Sequence, residues 1–114
     1  IMDSKSLKNI LKKGSFLKAM KFILKKLDKK KNRSATFVSS LSFKSTNGKI
    51  ISVEGKLKGR ISNKILGSKG FGYDSIFVPE KSKKTFGQIS QFKKIKMDHR
   101  YIAFKKLKKK VKIL

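Results

Sequence analysis

The pattern of apolar and polar positions predicts two longer helices and two short ones. Apolar residues recur at helical spacing from Ser15 and predict an amphipathic helix that ends in the polar loop 28–33; the stripe is Phe16, Met20, Ile23, Leu24 and Leu27. Ser90 predicts the cap of a short helix, and a last helix starts at about Asp98. Its apolar stripe is Tyr101, Phe104, Leu107, Val111 and Leu114. Near the amino terminus, a short helix is predicted from about Asp3 to Gly14.

Between the helices, the period of the pattern changes from helical spacing to alternation. Residues 34–43 alternate and predict a strand with one apolar face, formed by Ala35, Phe37, Leu41 and Phe43. Asn47-Gly48 predicts a type I′ turn into a partner strand over 50–57. Gly55 and Gly59 predict a bulge or a close backbone approach, and a Gly-rich loop leads to a short strand over 75–78. This order predicts an α/β or α+β domain in which antiparallel strands carry helices.

Length and composition limit the class of protein. A chain of 114 residues fits one domain or part of one, and it begins at Ile1. No Cys is present, so disulfides and thiolate metal sites are excluded, in agreement with the reducing cytoplasm in which we expect the protein. No apolar run has the length of a membrane span or of a signal-peptide core, and we therefore expect no membrane partner.

The charge alone predicts a polyanionic partner. There are 32 basic and 6 acidic residues, for a formal net charge of +26, and a small basic nucleic-acid-binding protein is one hypothesis. Only Arg33, Arg60 and Arg100 are arginines, however, whereas nucleic-acid recognition exploits the bidentate guanidinium. Lysine is spread along the whole chain, as an AT-rich coding sequence produces. Nucleic acid is therefore the alternative partner rather than the expected one.

Two short segments contain residues that could bind a ligand. Gly67, Gly70 and Gly72 surround Phe71, Tyr73 and Asp74, so a backbone with few side chains presents two rings and a carboxylate before a strand. One ring can stack on a planar base while the carboxylate accepts hydrogen bonds from ring N–H groups. The alternative is a tight connection whose aromatic rings join the core.

His99 and Arg100 follow Asp98 at the predicted start of the last helix, where backbone N–H donors cluster. An Arg offers only donors, which match the 6-oxo and N7 acceptors of hypoxanthine, xanthine or guanine. The alternative is a surface Arg paired with Asp98 beside a His that only caps the helix. No paired carboxylates, P-loop or HExxH motif is present, and the single His excludes a metal site that needs two.

Taken together, these motifs resemble the inosine/xanthosine triphosphate pyrophosphatase family. The resemblance extends from about Ser15 to Leu107 and rests on Gly59-Arg60-Ile61, on 67–79 with its Gly70-Phe71-Gly72-Tyr73-Asp74 run, on Lys83 to Phe86 and on Lys94 to Arg100. It implies an elongated α/β fold of two lobes around a long twisted mixed sheet, of which residues 15–114 supply the C-terminal part. Residues 1–14 lie outside the resemblance.

The resemblance also implies an activity. Members of the family hydrolyse (deoxy)ITP and XTP to the monophosphate and pyrophosphate with Mg²⁺, usually as homodimers, and so remove deaminated purine nucleotides. The substrate-binding residues carried over by motif are Phe71, which stacks on the base, Gly72, Tyr73, Asp74, His99 and Arg100, which shape and read its pocket, and Lys94, which neutralises phosphate.

Two positions depart from the family pattern, and one segment has no counterpart. Asp98 stands where the family has Ser and adds negative charge beside the pocket. Ser75 stands where the family has Pro after the Gly-Tyr-Asp run, and it loosens the turn. Nothing matches the family's phosphate-binding segment or the acidic residues that hold Mg²⁺ and activate water. No catalytic residue or metal ligand is therefore assigned, and we expect this chain alone to be inactive or nearly so.

Overall fold

The structure is a computed structural model that describes residues 16–112, so the predicted helix over 3–14 lies outside the described residues. The elements in chain order are α1 (Phe16–Lys26), β1 (Ser34–Lys44), β2 (Ile50–Ile61), β3 (Phe77–Pro79), α2 (Gln91–Lys94) and α3 (His99–Lys112). Two single 3₁₀ turns, Asp74–Ile76 and Phe86–Gln88, complete the described secondary structure. The predicted order of helices and strands is thus confirmed, whereas the 3₁₀ turns were not predicted.

A long β-hairpin is the centre of the fold. Strands β1 and β2 pair antiparallel from Ser34 opposite Arg60 to Lys44 opposite Ile50, and β3 adds a short antiparallel edge to β2. The predicted hairpin is confirmed, but the predicted type I′ turn is wrong. Gly48 N–H donates to the Ser45 carbonyl (3.0 Å), and Gly48 has a φ of 87° while Asn47 does not have a positive φ. A type I′ turn needs positive φ at both central residues.

The described sheet is antiparallel in the order β1-β2-β3. The predicted sheet is mixed, and the described strands contribute only antiparallel pairs to it. Within residues 16–112, no helix is long and apolar enough to cross a membrane.

The core lies on one face of the hairpin, between the sheet and the segments that follow it. Phe77, Phe86 and Ile89 form its buried centre, and the ring of Phe37 from β1 stacks on Phe77 with 3.8 Å between centroids. A stacked aromatic pair contributes about 0.5–1.5 kcal/mol beyond the area that it buries. This stack fixes β1 to β3 across the intervening strand.

Helix α3 crosses the same face of the hairpin at a glycine. A Cβ at Gly55 would lie 2.8 Å from the Ala103 Cα and closer still to the His99 carbonyl oxygen. The pairing of β1 with β2 is continuous through this position, with Gly55 opposite Ser39. Of the two predicted alternatives, a close backbone approach is therefore confirmed and a bulge is not present.

The buried faces of the helices differ in part from the predicted stripes. In α3 the buried residue is Ala103, and Phe104 is 56% exposed, because the close approach at Gly55 leaves room only for a methyl side chain. In α1 Ala19 and Met20 are buried, whereas Phe16 is 47% exposed. In α1 the buried residues thus include Met20 of the predicted stripe, whereas in α3 the contact centres on Ala103, one residue before the predicted Phe104.

Arg33 ties the end of α1 to the end of the sheet. Its guanidinium donates to the carbonyl oxygens of Leu27 (2.7 Å), Ile61 (2.9 Å) and Ser62 (2.6 Å). Carbonyls at a helix end and a strand end otherwise lack partners, so one side chain satisfies groups from two elements. This contact holds α1 beside the loop that leads to the cleft described below.

The Gly55 contact predicts a specific sensitivity to a single methyl group. We expect Gly55→Ala to destabilise the chain by about 1–3 kcal/mol, since the added Cβ overlaps the α3 backbone, which must move away from the sheet. Thermal unfolding followed by circular dichroism measures this change, and Lys56→Ala, on the exposed face of the same strand, is the matched control. A midpoint for Gly55→Ala equal to that of Lys56→Ala would contradict this account of the packing.

Candidate functional site

The Gly-rich loop before β3 is wrapped around the carboxylate of Asp74. Gly70 and Gly72 have φ of 81° and 62°, values that residues with a Cβ rarely adopt. A Cβ at Gly70 would also lie 3.1 Å from Asp74 Cγ. The Phe71 N–H donates to Asp74 Oδ2 at 3.0 Å, so the carboxylate fixes the backbone that presents the Phe71 ring.

Ser75 anchors the far side of this loop. Its hydroxyl donates to the Gly67 carbonyl at 2.9 Å, and the Leu66 N–H donates to the Ser75 carbonyl at 2.9 Å. The predicted loosening of the turn at Ser75 is therefore offset by a hydrogen bond that a proline could not form.

All seven predicted substrate-binding residues line one cleft. The cleft has a volume of about 290 Å³ and lies between the Gly-rich loop, α2 and the start of α3. These segments contribute Phe71, Gly72, Tyr73, Asp74, Lys94, His99 and Arg100 to its lining. These residues are separated by up to 29 positions in the sequence, and the fold of α3 over the hairpin brings them together. The alternative in which the aromatic residues of the loop only join the core does not hold for Phe71, which is 56% exposed.

Four further residues line the cleft and were not predicted. Phe16 comes from α1, and Thr36, Phe37 and Val38 come from β1. Phe16 packs edge-on against the Tyr73 ring, with 5.4 Å between centroids, and Phe37 makes an edge contact with His99 at 4.9 Å. The positions of all four residues are explained by amphipathic secondary structure, so the sequence gave no separate signal for a site.

Lys94 is the buried cation of the site. Its side chain is only 3% exposed, and its Nζ lies 2.9 Å from Asp74 Oδ2 and 3.8 Å from Asp98 Oδ2. The same Nζ lies 4.6 Å from the Phe71 ring centroid and 5.5 Å from that of Phe86. An ammonium between two carboxylates and beside two rings is stabilised by these partners, and the phosphate contact of Lys94 stays a prediction.

Asp98 occupies the cap of α3 and is itself buried. Its Oδ1 accepts the Tyr101 N–H at 2.9 Å, which is the hydrogen bond expected from a residue that caps a helix. The charge that Asp98 was predicted to add beside the pocket therefore lies next to Lys94. Among residues 16–112 Asp98 forms no ion pair with Arg100, so the alternative of a surface Arg paired with Asp98 does not hold.

The Arg100 guanidinium lies against the Phe71 ring instead. The distance from Cζ to the ring centroid is 4.6 Å, within the range of a cation–π contact. Phe71 is thus held at its backbone by Asp74 and at its ring by two cations, Lys94 and Arg100. A ring on a Gly-rich loop obtains a defined position in this way.

Two buried polar atoms of residues that line the cleft have no hydrogen-bond partner among the described residues. They are the Tyr73 hydroxyl and His99 Nδ1. Burial raises the pKa of the Tyr73 hydroxyl above its ordinary value. Unpaired buried polar groups are costly, and both atoms belong to residues that line the cleft.

Burial also lowers the pKa of His99. The charges of Arg100 and Lys94 act in the same direction, whereas those of Asp98 and Asp74 oppose the shift. His99 is therefore neutral at pH 7, with one ring nitrogen as a donor and the other as an acceptor. The alternative of a His that only caps the helix does not explain a buried Nδ1 without a partner.

The described residues do not fit a divalent metal ion. No group of three His, Cys, Asp or Glu that is suited to hold a metal lies within the described part of the chain. The two carboxylates beside the cleft, Asp74 and Asp98, already contact the Lys94 ammonium. Their arrangement is that of a neutralised ion cluster rather than of open metal ligands.

Fold and site together define an α/β protein with a cleft between a Gly-rich loop and the start of a helix. A family model described as the Ham1 family matches residues 3–110, and the chain belongs to this family. The resemblance inferred from the motifs is thus confirmed, and the match reaches into residues 1–14.

Individual relatives support the same assignment. A protein from Saccharolobus solfataricus named dITP/XTP pyrophosphatase is 48% identical over 88 residues, which cover 76% of this chain and 45% of the relative. One of the same name from Borreliella burgdorferi is 40% identical over 102 residues, or 88% of this chain and 50% of the relative. The chain therefore spans about half the length of the curated relatives that it matches.

Solved structures confirm the predicted fold family. The Staphylococcus aureus Ham1 protein superposes with a TM-score of 0.81 at 31% identity and covers 86% of this chain and 51% of its own. A Ham1 protein from Coxiella burnetii has a TM-score of 0.79 at 23% identity, over 89% of this chain and 53% of its own, and supports the fold alone.

The lowered pKa of His99 predicts how stability depends on pH. Between the folded pKa and the unfolded value of about 6.5, the unfolded chain binds more protons than the folded chain. Stability contributed by the neutral imidazole is therefore present above this window and is lost as the pH falls through it. His99 is the only His, so its ring gives a single set of proton signals, and we expect an NMR titration midpoint below 6.5.

The control for this prediction is His99→Gln, which removes the titrating group. We expect the unfolding midpoint of the unmodified chain to fall between pH 7.5 and pH 5.5 more steeply than that of the variant. An imidazole midpoint at or above 6.5 would show that burial does not govern this side chain.

Proposed function

We propose that the cleft binds the 6-oxopurine base of a nucleotide, and that the chain serves in the hydrolysis of (deoxy)ITP or XTP to the monophosphate and pyrophosphate. The observation that carries the proposal is the convergence of Phe71, Asp74, His99 and Arg100 on one cleft that also contains two unpaired buried polar atoms. The names of the relatives, dITP/XTP pyrophosphatase, support the choice of substrate and reaction.

Asp74 and Arg100 carry the discrimination between bases. Both contacts of the Asp74 carboxylate use Oδ2, so Oδ1 is the oxygen left to accept a ligand N–H. A 6-oxopurine has N1–H as a donor, whereas adenine has an unprotonated N1 that repels a carboxylate. The Arg100 guanidinium donates to O6 and N7, and the 6-amino group of adenine opposes it.

Phe71, Tyr73 and His99 supply the remaining contacts in this proposal. The exposed ring of Phe71 stacks on the face of the base. The two cations beside the ring, Lys94 and Arg100, hold the ring in position. The Tyr73 hydroxyl and His99 Nδ1 obtain hydrogen-bond partners from the ligand. Gly72 lets the loop backbone approach the base closely.

The hydrolytic part of the reaction requires groups outside this cleft. Mg²⁺ supplies charge neutralisation at the phosphates in such reactions, but the described residues do not fit it, and no step through the metal is assigned to them. We propose that these residues recognise the base, that the working enzyme is a homodimer in the cytoplasm, and that its role is to remove deaminated purine nucleotides.

The nucleic-acid-binding alternative has less support. It tolerates scattering of the four cleft residues and needs one continuous basic face, whereas these residues converge. The net charge of +26 is still the feature that it would use, so binding to nucleic acid is tested beside binding to nucleotide.

Selective nucleotide binding is the direct test. We expect calorimetry to measure an affinity for inosine 5′-monophosphate at least about tenfold above that for adenosine 5′-monophosphate, because Asp74 and Arg100 both oppose the adenine edge. We expect Arg100→Ala to weaken binding of the inosine nucleotide by about 10- to 100-fold, the range for charge-assisted hydrogen bonds.

Arg60→Ala is the matched control, since Arg60 is exposed and does not line the cleft. We expect it to leave nucleotide affinity unchanged. Equal affinity for both nucleotides, with steeply salt-dependent binding to nucleic acid, would favour the alternative instead.

Turnover by this chain is a separate prediction. With ITP, XTP or ATP and Mg²⁺, we expect the purified 114-residue chain to release pyrophosphate at a small fraction of the rate of a relative of twice its length, because the described residues provide no metal-binding cluster. A pyrophosphate-release assay on both proteins at equal concentration measures this. A rate comparable with that of the longer relative would refute the division between base recognition and hydrolysis.

A further inference from the structure

We propose that Asp98 is a positioning residue for the cleft. Through its contact with Lys94, Asp98 holds the loop that carries Phe71 and Asp74 close to the start of α3. The inference rests on the proposed function for its ligand, but its structural basis is independent of it. Asp74, Lys94 and Asp98 are named the ion cluster below.

The charges of the ion cluster do not cancel. Two carboxylates surround one ammonium, the side chains of the two ion pairs are 3–6% exposed, and the cluster carries a formal charge of −1. A buried charge is tolerated only where polar partners satisfy it. Here the Phe71 N–H satisfies Asp74, the Tyr101 N–H satisfies Asp98, and the Lys94 ammonium lies near both carboxylates.

The two oxygens of Asp98 have different partners. Oδ1 accepts the Tyr101 N–H at 2.9 Å and caps α3, while Oδ2 lies 3.8 Å from Lys94 Nζ. Backbone hydrogen bonds place Asp98 between the two helices, since its N–H donates to the Lys94 carbonyl (3.1 Å) and its carbonyl accepts the Ile102 N–H (3.1 Å). A serine would cap the helix in the same way but would add no charge near Lys94.

The ion cluster therefore connects the two sides of the cleft. One side is the loop, in which Asp74 Oδ2 holds both the Phe71 backbone and Lys94. The other side is the first turn of α3, in which Asp98 immediately precedes His99 and Arg100. A shift of Lys94 toward solvent would release Asp74 and the Phe71 ring together, because Nζ contacts both.

A double-mutant cycle tests this role without a ligand. We expect Lys94→Met alone to leave two buried carboxylates without their cation and to lower the unfolding midpoint strongly. In the Asp98→Asn background one of those charges is gone while the cap remains, so we expect the same change to lower the midpoint by at least about 5 °C less. Lys93→Met, on the exposed neighbour, is the matched control for the change of lysine to methionine.

Ligand affinity then separates positioning from capping. Asp98→Asn keeps an oxygen for the Tyr101 N–H, so a residue that served only as a cap would leave binding unchanged. We expect a roughly tenfold loss of affinity for inosine 5′-monophosphate, at a temperature where circular dichroism shows both proteins fully folded.

The outcomes are distinct. Equal effects of Lys94→Met in both backgrounds, or an affinity for inosine 5′-monophosphate in Asp98→Asn within twofold of the unmodified chain, would overturn the role of Asp98. If the unmodified chain binds no nucleotide, the proposed function fails, and the thermal cycle alone decides whether Asp98 holds Lys94.

Discussion

The close approach of α3 to β2 at Gly55 is the constraint on which the cleft depends. A helix that lay one side chain farther from the sheet would carry His99 and Arg100 away from the Gly-rich loop, since both residues belong to its first turn. Because Gly55 has no Cβ, the α3 backbone at His99 and Ala103 lies directly against β2, and this contact sets the distance between the two walls of the cleft. Ala103, the buried residue of the helix, is the complementary small residue.

Within that frame, polar contacts decide the position of individual groups. The loop 67–74 contains three glycines, and Gly70 and Gly72 adopt left-handed conformations. Its order comes from Asp74, which binds the Phe71 backbone and the Lys94 ammonium. The lysine is more useful to the site as a buried partner of carboxylates than as a free cation, because Phe71 obtains its orientation from the same contact.

Much of the fold was predictable because its elements have strong local signals. Alternation in 34–43 and Asn47-Gly48 indicated the hairpin, and Ser90 indicated the cap of α2, whose hydroxyl accepts the Lys93 N–H. What failed depended on tertiary contacts. The predicted α3 stripe placed Phe104 at the sheet, but the helix approaches too closely at Gly55 for a large side chain there. The turn conformation at Asn47 also differs from the one that its dipeptide favours.

The sequence predicted which residues line the site but not the contacts between them. The seven predicted substrate-binding residues were identified by a resemblance in motif, and the fold places all seven in one cleft. Spacing gave no indication that Lys94 would be buried between Asp74 and Asp98, since a lysine four residues before an acid on a helical segment is ordinarily a solvated pair. Thr36 and Val38 were not predicted as lining residues either. An exposed position on a strand fits the same alternation of apolar and polar residues whether or not it lines a cleft.

The arrangement also explains why a very basic chain need not be a polyanion-binding protein. The cations that line the cleft are engaged by specific partners, with Lys94 held by carboxylates and Arg100 by an aromatic ring, whereas the other lysines are spread along the whole sequence. Recognition of a base depends on the direction of a few donors and acceptors, and net charge contributes only to the rate of encounter. Residues 16–112 bring the seven predicted substrate-binding residues into one cleft but contain no group of His, Cys, Asp or Glu suited to hold a metal, so they do not by themselves meet the demand that chemistry at phosphorus makes for metal ligands.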